Sequence, residues 1–251
     1  MELLILVAAG VIAGAMNAVA GGGTFVTLPA LIAAGVPPVL ANASSTVALF
    51  PAALSSVWAY RKQLQPIGPV SLRALVVVSV AGGLAGALLL LFTPGAVFDK
   101  VLPWLLLLAA MMILFGGKLR AWLAVRGHKI GPRTTLIGQF VVAIYGGYFG
   151  GAVGLITMAL WALLSELDFQ AAAPARLATV AAANAAAVTC FIIAGAVWWP
   201  QAIAVLAGGV IGGYWGAKAG GRLPAGVVRI VVIAVTWVTT AVFFWRGYGP
   251  N

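Results

Sequence analysis

The chain has 251 residues, of which 63% are hydrophobic and 7% are charged, whereas a soluble domain carries about 25% charged residues. This composition excludes a soluble globular protein. The net charge of +10 lies in short loops between apolar runs, which excludes a nucleic-acid-binding face. One cysteine, one histidine and four carboxylates exclude an internal disulfide and argue against a metal site, so we expect no cofactor.

Apolar runs follow one another along the whole chain. They cover about residues 2–35, 39–60, 71–92, 97–117, 134–165, 171–197, 200–220 and 225–246. A run of about 20 residues can cross a bilayer as a helix, and open strands cannot satisfy their backbone in lipid. The sequence therefore predicts an all-α integral membrane protein with about eight segments in contact with the lipid bilayer.

The first and fifth runs differ from the others in length and in glycine content. Each has more than about 30 residues, where about 20 would span the membrane. Glycines interrupt them at Gly21–Gly23 and between Gly146 and Gly154. Because consecutive glycines let the backbone leave the helix, we expect both runs to be broken or re-entrant at these points.

The two halves of the chain repeat one another. The pattern Gly-Gly-x-x-Gly-Ala at 82–87 recurs at 212–217, an offset of 130 residues. Gly23 matches Gly154 at an offset of 131, and Thr46 matches Thr179 at an offset of 133. We therefore divide the chain into a first membrane repeat (1–117), a basic cytoplasmic linker (118–133) and a second membrane repeat (134–251), with four segments in each repeat.

The basic residues favour one path for the two broken runs. If both runs crossed the membrane once, the basic residues would divide nine to five between the two sides. If both runs enter the membrane and turn back, the basic residues divide twelve to two, and Lys100 and Arg246 are the two on the side with fewer basic residues. The positive-inside rule prefers the second arrangement. Each half then crosses three times, so the repeats are inverted and both termini face outside.

The first break combines glycines with polar side chains that a plain spanning helix would avoid. Asn17 and Thr24 flank Gly21, Gly22 and Gly23. A half-helix that begins near Thr24 would point its positive end at the break. We interpret these five residues as candidate ligands for an anion. The alternative is that the glycines only allow close helix packing, as we expect for the glycines at 82–87 and 212–217.

The next helix contributes a second candidate group. Asn42, Ser45 and Thr46 fall on one helical face beside the first break. Serine and threonine in lipid commonly bond only the carbonyl four residues back, so a single hydroxyl indicates little. As a cluster, we interpret the three residues as lining the site.

The second half contains a cationic candidate. Gly151 and Gly154 belong to the second break, and Arg176, Thr179 and Asn184 share one half of the following helix. Arg176 is embedded in an apolar run near this break, which makes it a candidate ligand for an anion. The alternative is an interfacial arginine that extends to the lipid headgroups.

Carboxylates are absent from the expected midplane. Glu2 is near the start of the chain, Asp99 lies beside Lys100 in a loop, and Glu166 and Asp168 flank a turn. A proton relay through a buried acid therefore lacks its residue. One histidine and these acids cannot assemble an acid–base, nucleophilic or metal constellation, so we do not expect an enzyme.

Several stretches resemble one known family. Residues 17–31 (NAVAGGGTFVTLPAL) and 35–49 (GVPPVLANASSTVAL) are similar to the first-repeat signature of the TauE/SafE sulfite exporter family, also called TSUP. The stretch 146–151 and the segment from Gly208 to Pro224 resemble its second repeat. The sequence departs from the family pattern in two ways. Residues 152–154 contain fewer glycines than usual, and Arg176 stands where relatives often have lysine.

The resemblance implies a transporter of the bacterial inner membrane. Its substrates would be small sulfur-containing anions, such as sulfite, sulfoacetate and related organosulfonates. The anion would bind at the midplane between the broken helices, and transport would run outward. A passive anion channel and an importer of thiosulfate or another small anion remain as alternatives. The exact substrate, the coupling ion and the formation of a homodimer stay open.

Overall fold

The computed structural model describes residues 1–19, 22–126, 131–163, 169–220 and 225–248. These residues contain ten α-helices and a short 3-10 helix at Arg61–Gln63. The helices are α1 (Glu2–Val19), α2 (Thr24–Ala33), α3 (Pro38–Tyr60), α4 (Leu72–Phe92), α5 (Gly95–Arg126), α6 (Pro132–Tyr148), α7 (Val153–Trp161), α8 (Phe169–Ile193), α9 (Trp199–Gly220) and α10 (Ala225–Tyr248). The predicted all-α architecture is confirmed.

The helices have the length and surface of a membrane bundle. Four segments are long and apolar enough to cross a bilayer: Pro38–Gln63, Leu72–Phe92, Gly95–Leu119 and Ala171–Ile193. Large apolar side chains lie exposed, including Phe92 and Ile193, each 82% exposed. Such surface is unfavourable in water and suited to lipid. The protein is therefore a multi-pass membrane protein.

Both long apolar runs are divided into two helices at their glycines. The first run ends α1 at Val19 and begins α2 at Thr24, and the fifth run ends α6 at Tyr148 and begins α7 at Val153. The helices α2 and α7 have 10 and 9 residues, which is about 15 Å or less. The hydrocarbon core is about 30 Å thick, so neither helix can cross it.

Each divided run folds back on itself. A Cβ built on Gly23 would lie 2.9 Å from the carbonyl oxygen of Ala13, whereas ten residues of straight helix would separate them by about 15 Å. In the other run, the Trp161 Nε1 donates to Gln139 Oε1 at 3.2 Å across 22 residues. The two runs are therefore helical hairpins, α1–α2 and α6–α7.

The helices form two compact units that both draw on the two sequence halves. The first unit contains residues 1–52, 91–110 and 191–251, and the second contains 53–90 and 111–190. The hairpin α1–α2 therefore shares its unit with α9, and the hairpin α6–α7 shares its unit with α4. The repeat boundaries at 117 and 133 stay a prediction, and α5 continues through the first part of the predicted linker to Arg126.

Glycines bring a partner helix against each hairpin. In the first unit, a Cβ at Gly208 would fall on the Val7 carbonyl oxygen and a Cβ at Gly212 on the Val11 carbonyl oxygen. Because both residue numbers rise together, α1 and α9 run parallel. In the second unit, a Cβ at Gly82 or Gly86 would fall on the carbonyl oxygens of Phe140 and Ile144, so α4 and α6 are also parallel. The packing role predicted for Gly82, Gly86 and Gly212 is confirmed.

The C-terminal end of α10 lies beside the beginning of α5 in the first unit. The Tyr248 hydroxyl donates to the Lys100 carbonyl at 2.9 Å and accepts from Trp104 Nε1 at 3.0 Å. The Trp104 ring packs edge-on against Phe244, with 5.2 Å between the centroids. Lys100, whose carbonyl makes one of these contacts, and Arg246, two residues before Tyr248, therefore lie at the same end of this unit.

Candidate functional site

The first break is closed by a neutral side chain. Asn17 Oδ1 accepts hydrogen bonds from the backbone amides of Gly22 at 3.2 Å and Gly23 at 3.3 Å. These are two of the amides that the sequence suggested for an anion, and here they are paired with a carbonyl oxygen of the protein itself. Gly21 lies outside the described residues. Thr24 begins α2 and is half-buried.

A buried hydroxyl pair ties α3 to this break. Thr27 Oγ1 lies 2.5 Å from Ser45 Oγ and 3.2 Å from the carbonyl oxygen of Gly23, to which it donates. Both side chains are fully buried. Ser45 therefore reaches the first break through Thr27. We did not single out Thr27 from the sequence, although it lies one helical turn beyond Thr24.

The other polar residues of α3 have separate partners. Thr46 Oγ1 donates to the Asn42 carbonyl four residues back at 2.9 Å, which is the local bond that we considered as its alternative role. Asn42 is fully buried. Ser44, which the sequence analysis missed, accepts from the backbone amide of Trp198 at 2.9 Å. Ser44 and Ser45 are therefore buried and hydrogen-bonded to other segments of the protein.

The second break has a different local structure. The φ angles are +82° at Gly150 and +56° at Ala152. An alanine in this left-handed region costs roughly 1–2 kcal/mol. Gly151 lies against the ring of Phe149. No side-chain cap bonds the start of α7, and no backbone carbonyl of the described residues accepts from the amides of Val153 and Gly154. The positive end of α7 is therefore open.

Arg176 lies at this open helix end. A Cβ built on Gly154 would be 2.6 Å from Arg176 Nη1 and 3.5 Å from Arg176 Cδ. The guanidinium therefore packs directly on the Gly154 backbone, and only glycine leaves room for it. In the part of the chain that the structure describes, no carboxylate contacts the guanidinium. Glu166 and Asp168 lie outside the described residues.

The remaining two candidates follow along α8. Thr179 is buried, and its hydroxyl donates to the Arg176 carbonyl at 3.0 Å. The Asn184 Oδ1 is buried and has no hydrogen-bond donor among the described residues. Its neighbour Ala183 packs on Gly83. The structure thus brings Arg176 and Gly154 together directly, with Thr179 close by and Asn184 about 12 Å further along the helix axis.

A buried amide network that we missed connects three helices of the second unit. Gln139 of α6 donates through Nε2 to Ser79 Oγ of α4 at 3.0 Å and accepts from Trp161 Nε1 of α7 at 3.2 Å. All three side chains are at most 2% exposed. Gln139 is a polar residue inside an apolar run, and the rule that such residues carry a function or a specific contact would have found it.

Comparison with known proteins agrees with this architecture. The family model described as Sulfite exporter TauE/SafE matches residues 6–243. A "Probable membrane transporter protein" of Haemophilus influenzae is 30% identical over 95% of this chain and 93% of its own length. The "Probable membrane transporter protein YfcA" of Escherichia coli is 27% identical over 96% of this chain and 88% of its own length.

A third relative extends the comparison to another bacterium. The "Probable membrane transporter protein ORF9" of a Sinorhizobium species is 29% identical over 88% of this chain and 82% of its own length. No solved structure matches the chain. The family model covers nearly every helix described above, including both hairpins. The chain therefore belongs to the TauE/SafE sulfite exporter family of membrane transporters.

Proposed function

We propose that the protein exports a small sulfur-containing anion, such as sulfite or an organosulfonate, and that the second break binds this anion. The observation that carries the proposal is the Arg176 guanidinium packed on Gly154 at the open N-terminus of α7. A cation and the positive end of a helix repel each other when nothing lies between them. An anion bound between the guanidinium and the helix N-terminus would remove this repulsion and accept hydrogen bonds from both groups.

The available donors suit an oxyanion with several oxygens. The guanidinium offers a planar fork of N–H donors, and the amides of Val153 and Gly154 add two donors at the helix end. A sulfite or sulfonate group has three oxygens that can accept from both sources at once. The family assignment supports a sulfur anion, because the matching model is described as a sulfite exporter.

Contacts within the first unit support the re-entrant path of both hairpins. Because α1 and α9 are parallel, residues 1 and 199 lie at the same end of the unit. If every other apolar run crosses the membrane once, residues 1 and 199 lie on the same side only when the two long runs both turn back or both cross. The contact between Tyr248 and Lys100 favours the first option, since an extra crossing by the fifth run would place these residues on opposite sides.

Outward transport agrees with the electrical driving force. A membrane potential that is negative inside favours anion exit by about 2.3 kcal/mol per charge per 100 mV. Flux through reconstituted protein should saturate as the concentration of sulfite or sulfoacetate rises, because a transporter has a binding step in each cycle. Flux that rises linearly over the whole range would instead support a passive channel.

The decisive experiment replaces the guanidinium. We expect Arg176→Gln to weaken binding of sulfite or sulfoacetate by about 10-fold to 150-fold, because a hydrogen bond to a charged group contributes roughly 1.5–3 kcal/mol. Arg176→Lys should restore part of the loss, since it keeps the charge and gives up the fork. Affinity is measured on purified protein by calorimetry or by thermal stabilisation at increasing anion concentration.

Two further variants control this experiment. Arg133→Gln removes an exposed arginine at the start of α6 and should leave affinity within about twofold, because exposed charges are screened by solvent. The double variant Glu166→Gln and Asp168→Asn tests whether one of these acids pairs with Arg176, in which case it would raise anion affinity. Unchanged affinity for Arg176→Gln would make Arg176 an interfacial arginine and remove it from the site.

A further inference from the structure

We propose that the segment Leu64–Ser71, here called the inner turn, is the cytoplasmic gate of the second hairpin. The inference rests on the proposed function, because it assigns the access route to the anion site described above. The inner turn connects the 3-10 helix after α3 to α4, and its two buried side chains belong to a hydrophobic cluster that includes residues of both helices that form that site.

The inner turn is a self-contained unit. The Ile67 amide donates to the Val70 carbonyl at 3.1 Å, and the Val70 amide donates to the Ile67 carbonyl at 3.0 Å. Gly68, with φ of +53°, and Pro69 form the tip between them. Because these two bonds are internal to the turn, it can leave its position as a rigid body without breaking them.

Two apolar side chains anchor the turn. Ile67 and Val70 are each 2% exposed, whereas Gln65, Pro66 and Pro69 are exposed. The two buried side chains belong to one hydrophobic cluster with Leu75, Met158, Trp161, Ala172 and Ala175. The tip of the turn is therefore held by apolar side chains, whereas its last residue, Ser71, accepts hydrogen bonds from the Ala74 and Leu75 amides at the start of α4.

The cluster is directly connected to the anion site. Met158 and Trp161 form the C-terminal half of α7, whose N-terminus carries Gly154. Ala175 immediately precedes Arg176 on α8. Ile67 and Val70 thus share one buried cluster with residues of the two helices that hold the guanidinium and the helix amides. A change in the relative position of these helices requires the two side chains to move.

The basic residues around the inner turn place it on the cytoplasmic side, from which an exported anion arrives. Arg61 and Lys62 precede the turn, Arg73 follows it, and all three are exposed. The positive-inside rule assigns such a cluster to the cytoplasm, and the basic residues would attract an anion to the entrance. Packed apolar side chains exclude water and ions, which is how hydrophobic constrictions close a pathway.

The test measures access to Met158 in the full chain in proteoliposomes. Met158→Cys is made in a Cys190→Ala background, and the reaction rate of the new thiol with N-ethylmaleimide is recorded. We expect slow labelling with the native turn and at least about 10-fold faster labelling with Ile67→Ser and Val70→Ser together. Gln65→Ser, an exposed change in the same turn, is the matched control and should leave the rate unchanged.

A second arm separates a gate from fixed packing. Labelling is repeated during transport of sulfoacetate down a concentration gradient, because sulfite itself adds to maleimides and would consume the reagent. We expect the thiol to react several-fold faster than without sulfoacetate if the native turn opens in each cycle. The variant with two serines should lose this response. If it does not fold, Val70→Ala replaces it, and we expect an increase of about threefold.

The outcomes distinguish failure of the gate from failure of the anion site. Labelling that is insensitive to sulfoacetate and to changes at Ile67 and Val70, in protein whose sulfoacetate binding requires Arg176, overturns the gate alone. Sulfite binding that is unaffected by Arg176→Gln overturns the proposed site. In that case faster labelling of the serine or alanine variants, with no response to sulfoacetate, would identify the turn as a static cover and also overturn the gate.

Discussion

The two hairpins share one backbone design but differ in what occupies the break. In the first unit, Asn17 Oδ1 accepts from the amides of Gly22 and Gly23. In the second unit, α7 begins without a side-chain cap, and the Arg176 guanidinium lies on Gly154. One break is therefore satisfied by a neutral group of the protein, whereas the other concentrates positive charge.

Individual side chains create this difference. At the offset of 131 residues, Asn17 corresponds to Tyr148, which has no amide oxygen to cap α7. At the offset of 133 residues, Arg176 corresponds to Ala43, which is buried and has no charge. Under the proposed function, one break of the predicted repeat is a structural element and the other is the binding site.

The largest expected effect concerns the path of the chain, because the comparison requires both breaks to turn back. Single cysteines are introduced at Glu2, at His128, which lies outside the described residues, and at Tyr248, in a Cys190→Ala background. We expect an impermeant thiol reagent to label positions 2 and 248 from outside and position 128 only from the cytoplasm. If positions 2 and 128 are labelled from the same side, the first run does not turn back. If positions 128 and 248 are labelled from the same side, the second broken run does not turn back.

The next effect separates packing from binding in the first break. A Cβ at Gly23 would lie 2.9 Å from the Ala13 carbonyl oxygen, whereas a Cβ at Gly22 would have no neighbour closer than 3.6 Å. Gly23→Ala should therefore destabilise the protein by about 2 kcal/mol through overpacking, and Gly22→Ala should change stability little. Thermal unfolding in detergent measures both, and equal losses would contradict the described geometry.

A smaller effect is expected from Gly154→Ala in the second break. The new methyl group would displace the end of the flexible Arg176 side chain, so we expect nearly unchanged stability and about 10-fold weaker sulfite binding, equivalent to about 1.4 kcal/mol. Gly117→Ala, where a Cβ meets nothing within 4 Å, is the matched control. Full affinity in Gly154→Ala would show that the guanidinium does not need its observed position.

The smallest effect tests the neutral cap. Asn17→Ala removes the acceptor for two amides and should lower stability by about 1 kcal/mol, as loss of a helix cap usually does. We expect sulfite affinity to stay within about twofold, in contrast to Arg176→Gln. A loss of affinity as large as that of Arg176→Gln would mean that both breaks bind the anion, which would erase the distinction between them.

The candidate site was only partly predictable. The glycine runs and polar neighbours identify both breaks, because unbroken spanning helices do not need these residues. Thr27 and Gln139 were missed because each matters through a partner distant in sequence, Ser45 for the first and Ser79 with Trp161 for the second. Such pairs depend on which helix faces meet, and no local pattern encodes that choice.

The sequence by itself determined that the chain lies in lipid, that it is helical and where its two long runs break, because hydrophobic composition and glycine placement act locally. Only the tertiary structure decided how the breaks are used. It placed Asn17 on the glycine amides, Arg176 on Gly154, and Ile67 with Val70 in one cluster with residues of α7 and α8. These contacts join segments up to about 100 residues apart, and they follow from close helix packing in three dimensions, where steric fit and the pairing of buried polar groups select one arrangement.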